Sequence, residues 1–304
     1  MSEPRVRVVE GGVEIDVPND HPRGALVLQA CPPRIRLALD GDSLAWARVA
    51  PAGAGFSWTR LPRKAPLAIV APIRASVARV MDAWPLALAR MLVASGRAWL
   101  APGTWSLGSF VRRSDGYVSL DGLGSTVRGL ESALDAPASI DERYRLYGSG
   151  RVLALREAID RDAARVRSWR KHARERTLPP ILLGWLSALD AYVILDGHDR
   201  LRAALLENVP ADVVALVAIR EVRERLDEER RDAVRASVER RYVLAFRNEP
   251  RLSSPSRDEM NRYLTGAFDD WSYRSAATPA RYRRDLASLA RRELSADDPI
   301  LRAS

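Results

Sequence analysis

Five consecutive residues, Asp196-Gly197-His198-Asp199-Arg200, combine the side chains that phosphate chemistry uses. They follow an apolar run, Tyr192 to Leu195, and precede a helical one, Leu201 to Leu206. A turn from strand to helix leaves the first helical N–H groups without intrahelical acceptors, at the positive end of the helix dipole. Such a terminus binds anions. Gly197 lets the backbone turn sharply and approach a ligand. Asp196 can accept a backbone N–H as a helix cap. Arg200 adds either a forked guanidinium contact to phosphate or an exposed salt bridge. His198 is a proton carrier near neutral pH, a hydrogen-bond donor or a structural turn residue. Asp199 suits the helix dipole but repels a phosphate, so a Mg²⁺ ion is a candidate bridge. As an exposed first-turn residue, Arg200 is expected to matter little for packing, with Arg202 on another face of the helix.

The surrounding elements read as a small mixed unit. Ile181 to Trp185 is an apolar strand after Pro179-Pro180, Ser187 to Asp190 a turn, and Tyr192 to Leu195 a second strand. Leu201 to Leu206 is a short helix closed by Asn208, and Asp212 to Val217 a third strand. Before them, Val152, Leu155, Ile159, Ala163, Val166 and Trp169 recur at helical spacing and predict one charged helix over 151–175.

Taken together, the Pro-Pro-Ile-Leu start at Pro179, the run Tyr192-Val-Ile-Leu-Asp-Gly-His-Asp-Arg-Leu-Arg-Ala-Ala204 and the segment Val209-Pro-Ala-Asp-Val-Val214 resemble the ParB/sulfiredoxin-like superfamily. The resemblance covers about forty residues directly. It implies a phosphate or nucleotide (CTP, ATP or ADP), with or without Mg²⁺, held by Asp196, Gly197, His198, Asp199 and Arg200. Superfamily members include DNA-partition proteins, kinases and reductases, so NTP hydrolysis, phosphotransfer, DNA binding and a catalytically inactive interaction module are all implied readings. Many members carry two histidines in the turn where this chain has His198 and Asp199. Sulfiredoxins place a catalytic cysteine there, which this chain lacks. CTP-hydrolysing members have a Gly-Glu-Arg-Arg-like turn, from which it also departs. Kinase members use an acidic base, for which Glu157 and Glu175 are the candidates, beside His198 as a catalytic candidate.

The rest of the chain gives the frame. With 304 residues, 47% hydrophobic and 29% charged, it has the composition of a globular protein. The net charge of +9 favours anionic partners, DNA among them. Only Lys64 and Lys171 are lysines among 48 basic residues, the signature of a GC-rich coding sequence as much as of nucleic-acid binding. The single cysteine, Cys31, allows neither an internal disulfide nor a Cys-based zinc site. No signal-like segment or membrane span is read, so the expected compartment is the cytoplasm. A homodimer is left open.

The expected fold is α+β. Residues 1–110 read as a β-rich module with a helical end, beginning with a hairpin over Arg5 to Val17. Strands are expected near Ala25 to Gln29, Ile35 to Leu39, Ala45 to Val49 and Leu67 to Ala71. A helix over 73–95 is expected to divide at Pro85. Residues 111–150 read as linker-like with a hairpin at Ser114-Asp115-Gly116, 151–218 as the ParB/sulfiredoxin-like domain, and 219–304 as a helical C-terminal region, with a helix of alternating Arg and Glu over 219–245 and shorter ones over 257–268 and 279–294.

Overall fold

The protein is described by a computed structural model at residues 2–9, 12–21, 24–50, 55–62, 67, 84–94, 99–109, 111–113, 116–118, 127, 129–142, 150–157, 160–224, 232–233, 236 and 271–301. The fold is α+β. The long apolar runs make its central sheet. Strand β12 (Ile181–Leu186) is buried along its whole length, and β13 (Ala191–Asp196) is buried up to its last residue. Strands buried on both faces carry continuous apolar runs rather than alternation. Ile181, Leu183 and Trp185 belong to one core, and Leu182 and Leu186 to the other.

The sheet runs β1 (Arg5–Val9), β2 (Gly12–Val17), β7 (Gly103–Ser109), β14 (Val213–Glu224), β12, β13 and β11 (Arg151–Leu153). β12 pairs antiparallel with β13 and parallel with β14; β11 pairs parallel with β13. On one face lie α2 (Ala164–Arg174) and α3 (His198–Leu206), which contribute Val166, Leu201, Ala203 and Ala204 to the core. On the other face lie α1 (Trp84–Ala94) and a second sheet. That sheet is ordered β10 (Ser139–Glu142), β6 (Phe56–Arg60), β5 (Asp42–Val49), β4 (Arg34–Leu39), β3 (Leu26–Cys31) and β16 (Ala280–Tyr282). Helix α4 (Leu286–Glu293) covers Trp46 of β5, and Trp46 Nε1 donates to Glu293 at 2.9 Å.

Several expectations are met. The Arg5 to Val17 hairpin pairs antiparallel, the strands near 25, 35 and 45 are present, and β8 (Val111–Arg113) pairs with β9 (Gly116–Val118). α1 starts at Trp84 with Pro85 in its first turn, where the missing N–H costs nothing. The stretch 71–83 and the helices expected over 219–245 and 257–268 lie outside the described residues, apart from 219–224, which continue β14 as strand rather than helix, and 232–233 and 236, which are helical. Leu67 is buried and not in a strand, and the rest of that expected strand is likewise undescribed.

Others are corrected. The helix expected over 151–175 is a strand, β11, then a loop, then α2, because Val152-Leu153-Ala154-Leu155 is an apolar run that a sheet edge buries whole. The boundary drawn at 110 falls inside the pairing pattern: β7, just before it, joins β2 of the N-terminal hairpin to β14. Within 111–150, β10 completes the second sheet, and Leu130 and Leu134 are buried. The C-terminal region contributes strands as well as helix. β15 (Trp271–Ala276) pairs with β14; of the helix expected over 279–294, residues 280–282 are instead β16, which pairs parallel with β3, and the helix itself is present as α4 from Leu286. By contact density the chain divides into a unit of 1–219 with 276–304 and a second of 220–275. No helix among the described residues is long and apolar enough to cross a membrane.

Candidate phosphate site at the start of α3

α3 begins at His198, directly after Gly197, which takes a left-handed conformation at φ 103°. An added Cβ there would sit 3.2 Å from Ile181 Cα and 3.0 Å from Arg200 Nη2, so glycine is required by both conformation and space. Asp196 does not cap the helix: no side chain does. Its Oδ2 instead accepts from Arg200 Nη2 at 2.8 Å, and the same nitrogen donates to Pro180 O at 2.9 Å. Arg200 therefore ties the first turn of α3 to the end of β13 and to the residue before β12. The first intrahelical bond is Leu201 N–H to Gly197 O, 2.8 Å. The N–H groups of His198, Asp199 and Arg200 have no acceptor among the described residues.

The expectation of an exposed Arg200 is corrected. It is 3% exposed, with Cζ 5.7 Å from the ring centroid of Trp169 on α2. A guanidinium can sit this deep because a carboxylate, a carbonyl and an aromatic face replace its water. Its Nε is buried without a partner. Arg202 is buried too, and pairs with Asp135 at 2.5 Å. That contact holds the Asp135 carboxyl below its usual range.

His198 is also buried. Its Nε2 accepts the Leu155 N–H at 3.2 Å, so the proton of the neutral ring is on Nδ1. Burial, and then the positive charges of Arg156, Arg60 and Arg200, push its pKa well below the usual histidine value. It is a neutral acceptor that fixes the loop after β11 against α3. Asp199 is held by two cations: Oδ1 faces Arg156 Nη1 at 3.1 Å and Oδ2 faces Arg165 Nε at 3.2 Å. Both oxygens are thus occupied by guanidinium groups, which leaves little for a bridging Mg²⁺. Among the described residues no three His, Cys, Asp or Glu side chains gather into a metal set.

These residues line a small notch, with Arg156, Arg165 and Arg200 set against Asp196 and Asp199, and Trp169 and Leu67 completing the wall. Its free volume is about 10 Å³, room for about one water. Arg165 is the exposed wall: its side chain is 53% exposed, while the Asp199 side chain it pairs with is 10% exposed.

Of the two acidic candidates, Glu157 lies in the loop after β11, half-buried, and its charge partly offsets the depression that burial imposes on the Arg60 guanidinium. Glu175 caps the far end of α2, about 15 Å along the helix axis from Arg165, beside Lys171 at 3.9 Å. The structure does not bring Glu175 to the notch. Arg156 and Arg165 are the charged site residues that sequence reasoning missed; nothing in their spacing distinguishes them from the other arginines.

Searches of protein-family models, curated proteins and solved structures find no match to this chain.

Proposed function

We propose that the protein binds a phosphate-bearing small molecule, a nucleotide (CTP, ATP or ADP) foremost, with one phosphate at the first turn of α3. The observation that carries this reading is the set of three N–H groups, His198 to Arg200, without acceptors among the described residues at the positive end of α3, beside a notch with three guanidinium groups and two carboxylates. The net positive balance of the lining and of the whole chain supports an anion.

In this reading Asp199 is the internal stand-in for the ligand. It keeps Arg156 and Arg165 paired until a phosphate oxygen displaces it from the more exposed Arg165. As it stands the notch has room for about one water, so a phosphate enters only as Arg165 leaves Asp199, and the sugar and base of a nucleotide lie outside it. Any Mg²⁺ arrives on the ligand's own phosphate oxygens, since the nearby carboxylates are engaged by arginines. Binding, rather than hydrolysis or transfer, is the proposal, because His198 is neutral with Nε2 occupied and both aspartates are ion-paired.

Titration calorimetry with pyrophosphate, ADP, ATP and CTP, with and without Mg²⁺, tests it. Arg165→Ala is expected to weaken binding about tenfold, the lower end for a charge-assisted contact. Arg174→Ala removes the same charge from the far end of α2 and is expected to leave affinity within about twofold. No binding of any of the four at millimolar concentration removes the reading.

A further inference from the structure

The opposite end of α3 carries a second cavity, independent of the notch. Its free volume is about 240 Å³, and its apolar wall is made by Leu130, Leu201, Ala204, Leu205, Val209 and Ala211. The end of the helix shapes it. Asn208 takes a left-handed conformation at φ 52°, with Asn208 N–H bonded to Leu205 O and Val209 N–H to Ala204 O, the hydrogen-bond pair of a Schellman motif. This turns the chain aside toward Pro210 and leaves the apolar side of the last helical turn open against the 129–134 turn.

The rim is polar and of one sign. Glu131 and Asn208 both line the cavity and are exposed, and no ion pair or hydrogen bond among the described residues uses the Glu131 carboxylate. The negative end of the α3 dipole lies on the same side. Apolar side chains on one wall, with a carboxylate that is unpaired among the described residues and a helix C-terminus beside them, complement a cation with an apolar body. The volume sets the size: an apolar cavity of about 150 Å³ takes one benzene ring, so this one takes a ring with a short arm. We propose that this cavity binds a compact arylalkyl amine, its ring on Leu201, Ala204 and Leu205 and its ammonium on Glu131.

The test uses the full chain and three probes followed by ligand-observed NMR titration. 2-Phenylethylamine supplies ring and ammonium, phenylacetate the ring with the opposite charge, and ethylamine the ammonium without the ring. The expected result is saturable binding of 2-phenylethylamine at millimolar concentration or tighter, with the other two at least about tenfold weaker. Glu131→Gln, an exposed change that leaves packing alone, is expected to weaken the amine about two- to fivefold. Leu205→Trp, at the half-buried wall, is expected to remove binding by filling the space, and if that variant does not fold Glu131→Gln still decides. Phenylacetate binding as tightly as the amine, an unchanged affinity in Glu131→Gln, or no saturation by 2-phenylethylamine would each overturn the assignment. Since phosphate ligands and this amine would occupy opposite ends of α3, failure of one leaves the other standing.

Discussion

At its N-terminal end α3 meets five charged side chains within one small notch; at its C-terminal end it meets a hollow more than twenty times larger, walled partly by apolar side chains, with the Glu131 carboxylate, unpaired among the described residues, on the rim. The contrast follows from what each end leaves unsatisfied. At the start, backbone N–H groups lack acceptors among the described residues and ion pairs crowd around them, so little space remains and polarity is high. At the finish, the Asn208 turn satisfies the carbonyls internally, and the side chains left to face the gap are apolar. Volume alone would rank the second end as the ligand site, whereas unpaired backbone donors and charge favour the first for anions. The two proposals accordingly give the two ends ligands of opposite charge.

The sharpest way to break the contrast is to remove the ion pair on which the N-terminal end is built. Arg200→Ala leaves Asp196 and Pro180 O without their buried donor and is expected to cost about 3–5 kcal/mol of stability, read by urea denaturation. Replacing both partners, Arg200→Met with Asp196→Leu, is expected to recover much of that loss, because no buried charge is then left alone. Arg202→Ala is expected to cost less, about 1–2 kcal/mol: its partner Asp135 is largely exposed and water takes over the lost contact. If Arg200→Ala and Arg202→Ala prove equally mild, the first turn of α3 is not the buried charged anchor described above.

A smaller effect separates the buried histidine from the surface. The folded pKa of His198 lies well below the ordinary value of 6.5, so the unfolded chain binds a proton that the folded chain does not across the interval between them. Stability conferred by neutral His198 is complete above about pH 6.5 and is lost as pH falls through that interval. His198→Gln keeps an acceptor for Leu155 N–H and is expected to flatten that slope in urea titrations between pH 7 and 5. Asp135 and Glu207, whose carboxyls are held below their usual 3.8 and 4.5 by hydrogen bonds from Arg202 and Arg170, lose their contributions only at lower pH. An unchanged slope in His198→Gln would mean that the histidine is solvated.

The unit from Ile181 to Val217 was legible in the sequence because its apolar runs are bounded by unambiguous punctuation: Pro179-Pro180, the Ser187 to Asp190 turn, Gly197 and Asn208. The helix expected from 151 was misread because Val152, Leu155 and Ile159 fit a helical stripe, while Val152 to Leu155 equally fits a short buried strand; a run of four apolar residues does not separate the two. β7 was partly hidden for a different reason. Its Thr104-Trp105-Ser106-Leu107 alternation is clear, but its partners β2 and β14 lie about ninety and a hundred residues away in the chain, and pairing at that range leaves no local trace. At the site, the type of each residue was legible and its environment was not. Arg200 looked like a surface residue because nothing in its neighbours in sequence shows that Trp169 and Pro180 O enclose it.

The most direct test of the central claim is an amide-resolved NMR titration of the ¹⁵N-labelled protein with pyrophosphate. If the first turn of α3 holds phosphate, the amide signals of His198, Asp199 and Arg200 shift first and saturate together, and Arg165→Ala raises the midpoint about tenfold. The contrary result is a titration in which those three amides stay in place, whether other signals move or none do; that would leave the N-terminal end of α3 as a buried structural anchor without a ligand.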